Sequence, residues 1–158
     1  MKEHHYRATI DWTGNQGSGT DHYTHYERSH TIQIEGKPQL AGSSDPAFRG
    51  DTTKHNPEDL FLSSLASCHM LWYLHFCSVN QIIVEAYTDT ATGTMIEEQD
   101  GKGRFIEVTL HPTVTVQSQD MVAQALALHK KANECCFIAN SVNFPVHHQP
   151  TIVVKNKA

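Results

Sequence analysis

From Leu60 to about Val79 the chain is apolar on most sides, and Phe61, Leu65, Cys68, Trp72 and Phe76 recur at three- and four-residue intervals, the spacing of one helical face. Asn56-Pro57-Glu58-Asp59 immediately precedes it. Asparagine can accept a backbone N–H at the N-cap, proline suits the first helical position, and two acids favour the positive end of the helix dipole. The pattern predicts a helix opening at this boundary and buried in the middle of the molecule.

Upstream, Tyr6 to Trp12 alternates loosely, and Tyr23 to Ile34 is again of β-favouring composition. Gly14-Asn-Gln-Gly17-Ser-Gly19 lies between them, so the pair reads as a hairpin. Residues 36–55 carry Gly36, Pro38, Gly42, Pro46 and Gly50, which predicts loop with at most a short edge strand. Downstream, Ile82 to Glu97 and Arg104 to Val116 predict two strands joined across Glu97-Glu-Gln-Asp-Gly-Lys-Gly103. Asp120 is placed to cap a second helix from Met121 to about Cys136, and Thr151 to Val154 reads as a closing strand. The order ββ, loop, helix, ββ, helix, β lacks the alternation of a parallel doubly wound sheet, so the expected class is α+β. No repeat or linker divides it, and residues 1–158 are expected to form one domain.

Composition narrows the partners. With 158 residues, 39% hydrophobic and 18% charged, the chain can bury a core of its own. A formal charge of −5 offers no basic footprint for phosphate neutralisation, so neither nucleic acid nor an anionic membrane surface is expected as a partner. The N-terminal Met-Lys-Glu-His-His-Tyr-Arg has no apolar signal core. No uninterrupted run approaches the roughly 20 apolar residues of a membrane span, and a cytoplasmic protein is expected. In that setting the four cysteines, at 68, 77, 135 and 136, are not expected to form a static disulfide framework.

A thiol becomes a good nucleophile at neutral pH when its pKa of about 8.5 is lowered by cations or a helix N-terminus. Cys68 sits past the first turns of its helix, so a cation from elsewhere is needed, and Arg28, Arg49, His69 and His75 are the candidates. A cysteine on an apolar helix is more often core than catalyst; Cys77, nine positions on, reads as core. The twelve histidines include no structural-zinc spacing, and no metal is expected; His69 and His75 read as hydrogen-bonded groups. The glycine-rich turn precedes no helix, which removes a nucleotide loop, and Ser63, Ser64 and Ser67 lack a nucleophile elbow.

The stretches Asn56-Pro-Glu-Asp-Leu60 and Ala66-Ser-Cys68-His-Met70, with Cys136-Phe-Ile-Ala-Asn140-Ser141, resemble the OsmC/Ohr family of osmotically induced and organic-hydroperoxide-resistance proteins. The resemblance extends along nearly the whole order of elements. It implies an OsmC-like fold, antiparallel sheets around a buried central helix, in an intertwined homodimer. It further implies a peroxidase acting on organic hydroperoxides, with Cys68 as the attacking thiolate, Cys136 resolving its sulfenic acid as a disulfide, and Glu58 orienting an arginine. That arginine is Arg28, preferred because a strand position is more rigid than a loop, or Arg49. His69 is a supporting candidate. The chain departs from the commoner pattern at Cys135-Cys136, where one cysteine is usual, and Cys135 is an alternative resolving thiol. No cofactor is implied beyond an external dithiol reductant such as a lipoylated protein. Two other classes compete: a non-enzymatic binder of a small apolar ligand, and a thiol redox sensor.

Overall fold

The structure is a computed structural model and describes residues 1–156. By its internal contacts the chain forms two compact units, Met1–Phe61 and Leu62–Ala158.

In the first unit, β1 (Thr9–Trp12), β2 (His30–Gln33) and β3 (Leu40–Gly42) form an antiparallel sheet in that order. Ile10 stands opposite Ile32, which faces Leu40 in turn. The expected hairpin is present, but its connection spans residues 13–29. Its base is closed by the Trp12 indole N–H donating to Glu27 O at 2.8 Å and the Glu27 N–H donating to Gly14 O at 2.9 Å. A Cβ on Gly14 would lie 1.9 Å from Glu27 O, so only glycine allows that approach. This unit buries little of its apolar surface: Tyr6, Ile10, Trp12, Tyr23, Ile34, Leu40 and Phe48 are all exposed.

The first helix, α1 (Pro57–Val79), starts where the sequence places it. The Asp59 N–H donates to Asn56 Oδ1 at 2.8 Å, and the Asn56 N–H reaches back to Asp59 Oδ2 at 3.4 Å. Two donors that no helical turn can satisfy are thereby paired. Asn56→Ala should lower the unfolding free energy by about 1 kcal/mol and Asn56→Asp by much less, as read from urea midpoints at unchanged slope. The side chains of α1 buried within the chain are Leu65, His69, Tyr73, Phe76 and Cys77. Cys68 and Trp72, expected on the buried stripe, are only half-buried, and Leu71 and Val79 are exposed. The helix is also long and apolar enough, by length and mean hydropathy, to cross a membrane, contrary to the expectation that no stretch approaches that length.

The second unit has four strands where the sequence predicts two: β4 (Val84–Asp89), β5 (Thr92–Glu97), β6 (Gly103–Leu110) and β7 (Pro112–Val116). The long hairpin is broken at residues 90–91 and at His111, whose N–H donates to Asp89 Oδ1 at 2.7 Å. Its two halves enter separate sheets, ordered β4-β7-β9 and β5-β6-β8. The closing strand β9 (Thr151–Val154) is as expected, whereas β8 (Val146–His148) was not anticipated. Both pair parallel to their neighbours, β8 with β6 and β9 with β7, so the sheets are antiparallel-rich rather than wholly antiparallel. The second helix, α2 (Val122–Cys135), follows a 3₁₀ turn at Gln119–Met121 that absorbs Asp120; Met121 stands at the N-cap, without a side-chain cap. Tyr73, Phe76 and Cys77 of α1, Val114 and Val116 of β7, and Ala125, Leu128 and Ala132 of α2 form the core.

Candidate thiol site

Within the second unit a row of polar side-chain contacts ties α1 to the α2 segment. Cys68 meets Cys136, His69 Nε2 lies 3.0 Å from His129 Nδ1, and the Tyr73 hydroxyl donates to Ala125 O at 3.1 Å. Residue numbers rise along α1 as they fall along α2, so the two helices meet along an antiparallel polar seam, with the thiols at one end.

Cys136 ends α2 as its C-cap, and its own C=O accepts the Asn140 N–H at 3.0 Å. The short 3₁₀ turn at Ala139–Ser141 directs the Ala139 N–H onto Cys136 Sγ at 3.4 Å, while Asn140 Nδ2 donates to Glu134 O at 2.9 Å. The Cys136 thiol is 1% exposed. Burial first, and its hydrogen bond with Cys68 second, push it up to about 11, against the backbone N–H of Ala139. Cys68 is half-buried and its partner closed off. Such a pair can do chemistry in sequence: the accessible sulfur meets a reagent, and the buried one is already in place to close a disulfide on it.

The two neighbouring cysteines diverge. Cys135 packs against the core around Tyr73 and Phe76, whereas the contact with Cys68 belongs to Cys136. Cys77 is buried beside the Tyr73 hydroxyl, and burial pushes its thiol up, as suits a core residue. His69 is buried, but His75, the other histidine expected near the thiol, is exposed, its ring against Trp72 and Phe76.

Two more imidazoles join the seam, His129, which no sequence motif marks, and His148, whose pairing with His147 suggests only a metal ligand. His129 stacks on Tyr73 with ring centroids 3.8 Å apart, and His148 of β8 lies 5.7 Å from His69 and 6.2 Å from His129, centroid to centroid. The signal for His129 was its place among Ala125, Leu128 and Ala132 on the apolar face of α2, where a polar ring needs a partner. Among the described residues no group of three His, Cys, Asp or Glu side chains is arranged to hold a metal ion.

The family model described as OsmC-like protein matches residues 50–150, which contain both thiols and the whole seam. The chain belongs to the OsmC-like family. An OsmC-like protein of unknown function from Vibrio cholerae is 30% identical, with a TM-score of 0.84 over 94% of this chain and 99% of that one. An organic hydroperoxide resistance protein from Elizabethkingia anophelis shares 17% identity, with a TM-score of 0.70 over 98% of this chain and 99% of that one. The organic hydroperoxide resistance protein OhrB of Bacillus subtilis shares 19%, with a TM-score of 0.62 over 95% and 98%. At those lower identities the likeness is one of fold. No curated protein sequence matches the chain significantly.

The other expected site residues, Glu58, Arg28 and Arg49, lie in the first unit. Glu58 is half-buried in the opening turn of α1. Arg28 is not on the second strand, as expected, but two residues before β2. Its Nη1 donates to Tyr26 O at 2.6 Å and its Nη2 to Tyr23 O at 2.8 Å. Its guanidinium carbon lies 4.4 and 4.2 Å from the centroids of the Tyr23 and Tyr26 rings. Rigidity therefore comes from carbonyls and ring faces rather than from a ladder. Arg49 follows the 3₁₀ turn Pro46–Phe48 at φ 65°. Both arginines line one surface cleft of about 420 Å³, with Thr24, His25 and Glu27.

Proposed function

We propose that this OsmC-like chain is a cysteine-dependent peroxidase that reduces organic hydroperoxides to alcohols in oxidative and osmotic stress defence. The observation that carries the reading is the contact between half-buried Cys68 and the buried Cys136. In the first step the Cys68 thiolate attacks the terminal peroxide oxygen. The O–O bond breaks, the alkoxide leaves as the alcohol with a proton, and sulfur becomes a sulfenic acid. In the second, Cys136 sulfur attacks Cys68 sulfur and the sulfenic oxygen leaves as water, taking the Cys136 proton. Burial pushes the Cys136 thiol up to about 11, so its proton has to pass to the departing oxygen as the S–S bond forms. An external dithiol, with a lipoylated protein as the expected class, then reopens the disulfide.

This reading further assigns Glu58 and an activating arginine, Arg28 ahead of Arg49, with Arg28 held by the carbonyls of Tyr26 and Tyr23. Leu71 and Trp72, one turn on from Cys68 along α1, present apolar surface beside it, which favours fatty or aryl hydroperoxides over hydrogen peroxide; of the others expected there, Met70 lies on another face and Leu65 belongs to the buried stripe. The open apolar faces of α1 and of the β1–β3 sheet support a homodimer, since exposed apolar surface of this extent calls for a partner. The proposed setting is the cytoplasm, with neither nucleic acid nor membrane as a partner.

The test is to titrate reduced protein with cumene hydroperoxide and map the product by peptide mass spectrometry. A Cys68–Cys136 disulfide formed at one peroxide per chain is the expected result. Cys135→Ser should leave both the disulfide and turnover nearly unchanged. Cys136→Ser should consume one equivalent and stop at the sulfenic acid. Uniformly slow oxidation of all four thiols would overturn the proposal in favour of a ligand-binding protein.

A further inference from the structure

The thiol chemistry makes no use of the buried imidazoles of the same seam. His69 follows Cys68 on α1, and His129 lies seven positions before Cys136, two turns back on α2. The two rings are 1% and 0% exposed and tilted only 6° from each other. Near-parallel rings with Nε2 of one 3.0 Å from Nδ1 of the other share a single proton between two nitrogens, one donor and one acceptor. A pair of leucines would fill such a space without needing any register. Two imidazoles satisfy each other only when the helices are held at the spacing and axial offset that bring those nitrogens together, because a missed hydrogen bond leaves two buried polar atoms unpaired.

We infer that His69 and His129 are positioning residues for the thiol pair: their neutral ring-to-ring hydrogen bond holds α1 and α2 in the register at which Cys136 reaches Cys68. The inference deepens the peroxidase reading and rests on the same pair of thiols. It also gives the closure step a pH dependence of its own. A first added proton can lodge on an outward-facing nitrogen and leave the bond intact, whereas a second makes both facing nitrogens donors and places like charges on adjoining buried rings.

The surroundings offer those charges no relief. His148 of β8 faces both rings and is itself influenced by His147. From α1, Tyr73 stacks on His129 while its hydroxyl is engaged by Ala125 O and Cys77. Tyr87 of β4 packs on Tyr73, and Asp89, at the end of the same strand, acts on Tyr87 and accepts the His111 N–H. The neighbours of α2 on β9, Ile152 and Val154, are apolar. Among the described residues, the charges that act on the three imidazoles are other imidazoles. Acid should therefore open the seam and draw Cys136 away from Cys68.

The experiment follows disulfide closure without any peroxide. Reduced wild-type protein and His129→Gln, whose amide can hydrogen-bond but does not titrate, are treated with 4,4′-dithiodipyridine, which remains reactive in acid. Attack by Cys68 releases one thiopyridone and leaves a mixed disulfide. Attack by Cys136 on the Cys68 sulfur releases the second, and peptide mass spectrometry assigns the bond. The readout is the ratio of wild-type to variant rates for the second release, in which the reagent's own pH dependence cancels. The ratio should be level above the ordinary imidazole range and fall by about tenfold or more as the pH approaches 4. A ratio that stays level overturns the inference. If His129→Gln does not fold, ring-proton NMR of the wild type decides: the histidines of the seam must take up protons where its closure slows, and rings that remain neutral there overturn the inference. A chain inert to hydroperoxides with pH-gated closure would fail the peroxidase proposal alone; an active peroxidase with a level ratio would fail this one alone.

Discussion

Cys68→Ser should abolish organic-hydroperoxide reduction, with kcat/KM falling by more than about a thousandfold, while the fold and its thermal midpoint stay nearly unchanged. The substitution is close to isosteric at a half-buried site, so the core around Leu65 and Tyr73 is not disturbed. What disappears is a polarisable thiolate able to displace an alkoxide from oxygen; a serine hydroxyl near neutral pH is scarcely ionised and attacks peroxide oxygen poorly. The remaining cysteines do not substitute. Cys136 is 1% exposed and pushed up to about 11, Cys77 is buried with its thiol also pushed up, and Cys135 packs on the core. Steady-state loss of cumene hydroperoxide, with dimedone trapping to count sulfenic acid, checks the point. Full activity in Cys68→Ser would remove Cys68 as the attacking sulfur.

Acid should begin to weaken the fold before its carboxylates are protonated. Burial first and His148 second lower His69 from 6.5 to about 4; burial, then His69 and His148, lower His129 to about 3. In the unfolded chain these rings bind protons below about 6.5, whereas in the folded chain they resist until the lower values. Between the two the unfolded state carries more protons, so stability present above about 6.5 is lost as the pH falls toward 4. For His69 the shift corresponds to about 3 kcal/mol, and the second ring adds less than its full share because each senses the other. Asp51, lowered to about 2 by its Thr53 hydrogen bonds and Lys54, loses its contribution only below the carboxylate range, and Asp89, raised by burial, acts in the opposite sense there. Urea titrations across this range should show the midpoint falling steeply in the wild type and less in His129→Gln. Equal slopes would mean that the imidazoles are not the groups responsible.

The local features of the chain were legible wherever neighbours in sequence decide the outcome. Asn56, Pro57 and Asp59 specify a helix start through contacts three residues apart, and the Gly14 turn and the β5–β6 hairpin are equally local. The family motifs around Cys68 and Cys136 marked the two sulfurs that meet, although the chain offered no geometric reason to prefer Cys136 over Cys135. That choice depends on where α2 ends: a C-cap with ψ 112° directs Cys136 onto Cys68, while Cys135, still in the last helical turn, packs on the core.

Longer-range order escaped the pattern. Alternation cannot say that a strand turns a corner at residue 111, nor that β8 and β9 run parallel to β6 and β7, because both follow from which distant strand is adjacent. Arg28 reads as a strand residue by composition, and two tyrosine rings and two carbonyls hold it in a loop instead. The histidines show the division most plainly. His69 stands out in the sequence only as a neighbour of Cys68, and its pairing with His129 and His148 is invisible until α1, α2 and β8 converge, since a hydrogen bond between rings sixty positions apart leaves no periodic trace. The thiols, the helix caps and the elements are properties of short stretches of sequence; the polar seam that aligns the thiols comes into being only when the two helices meet.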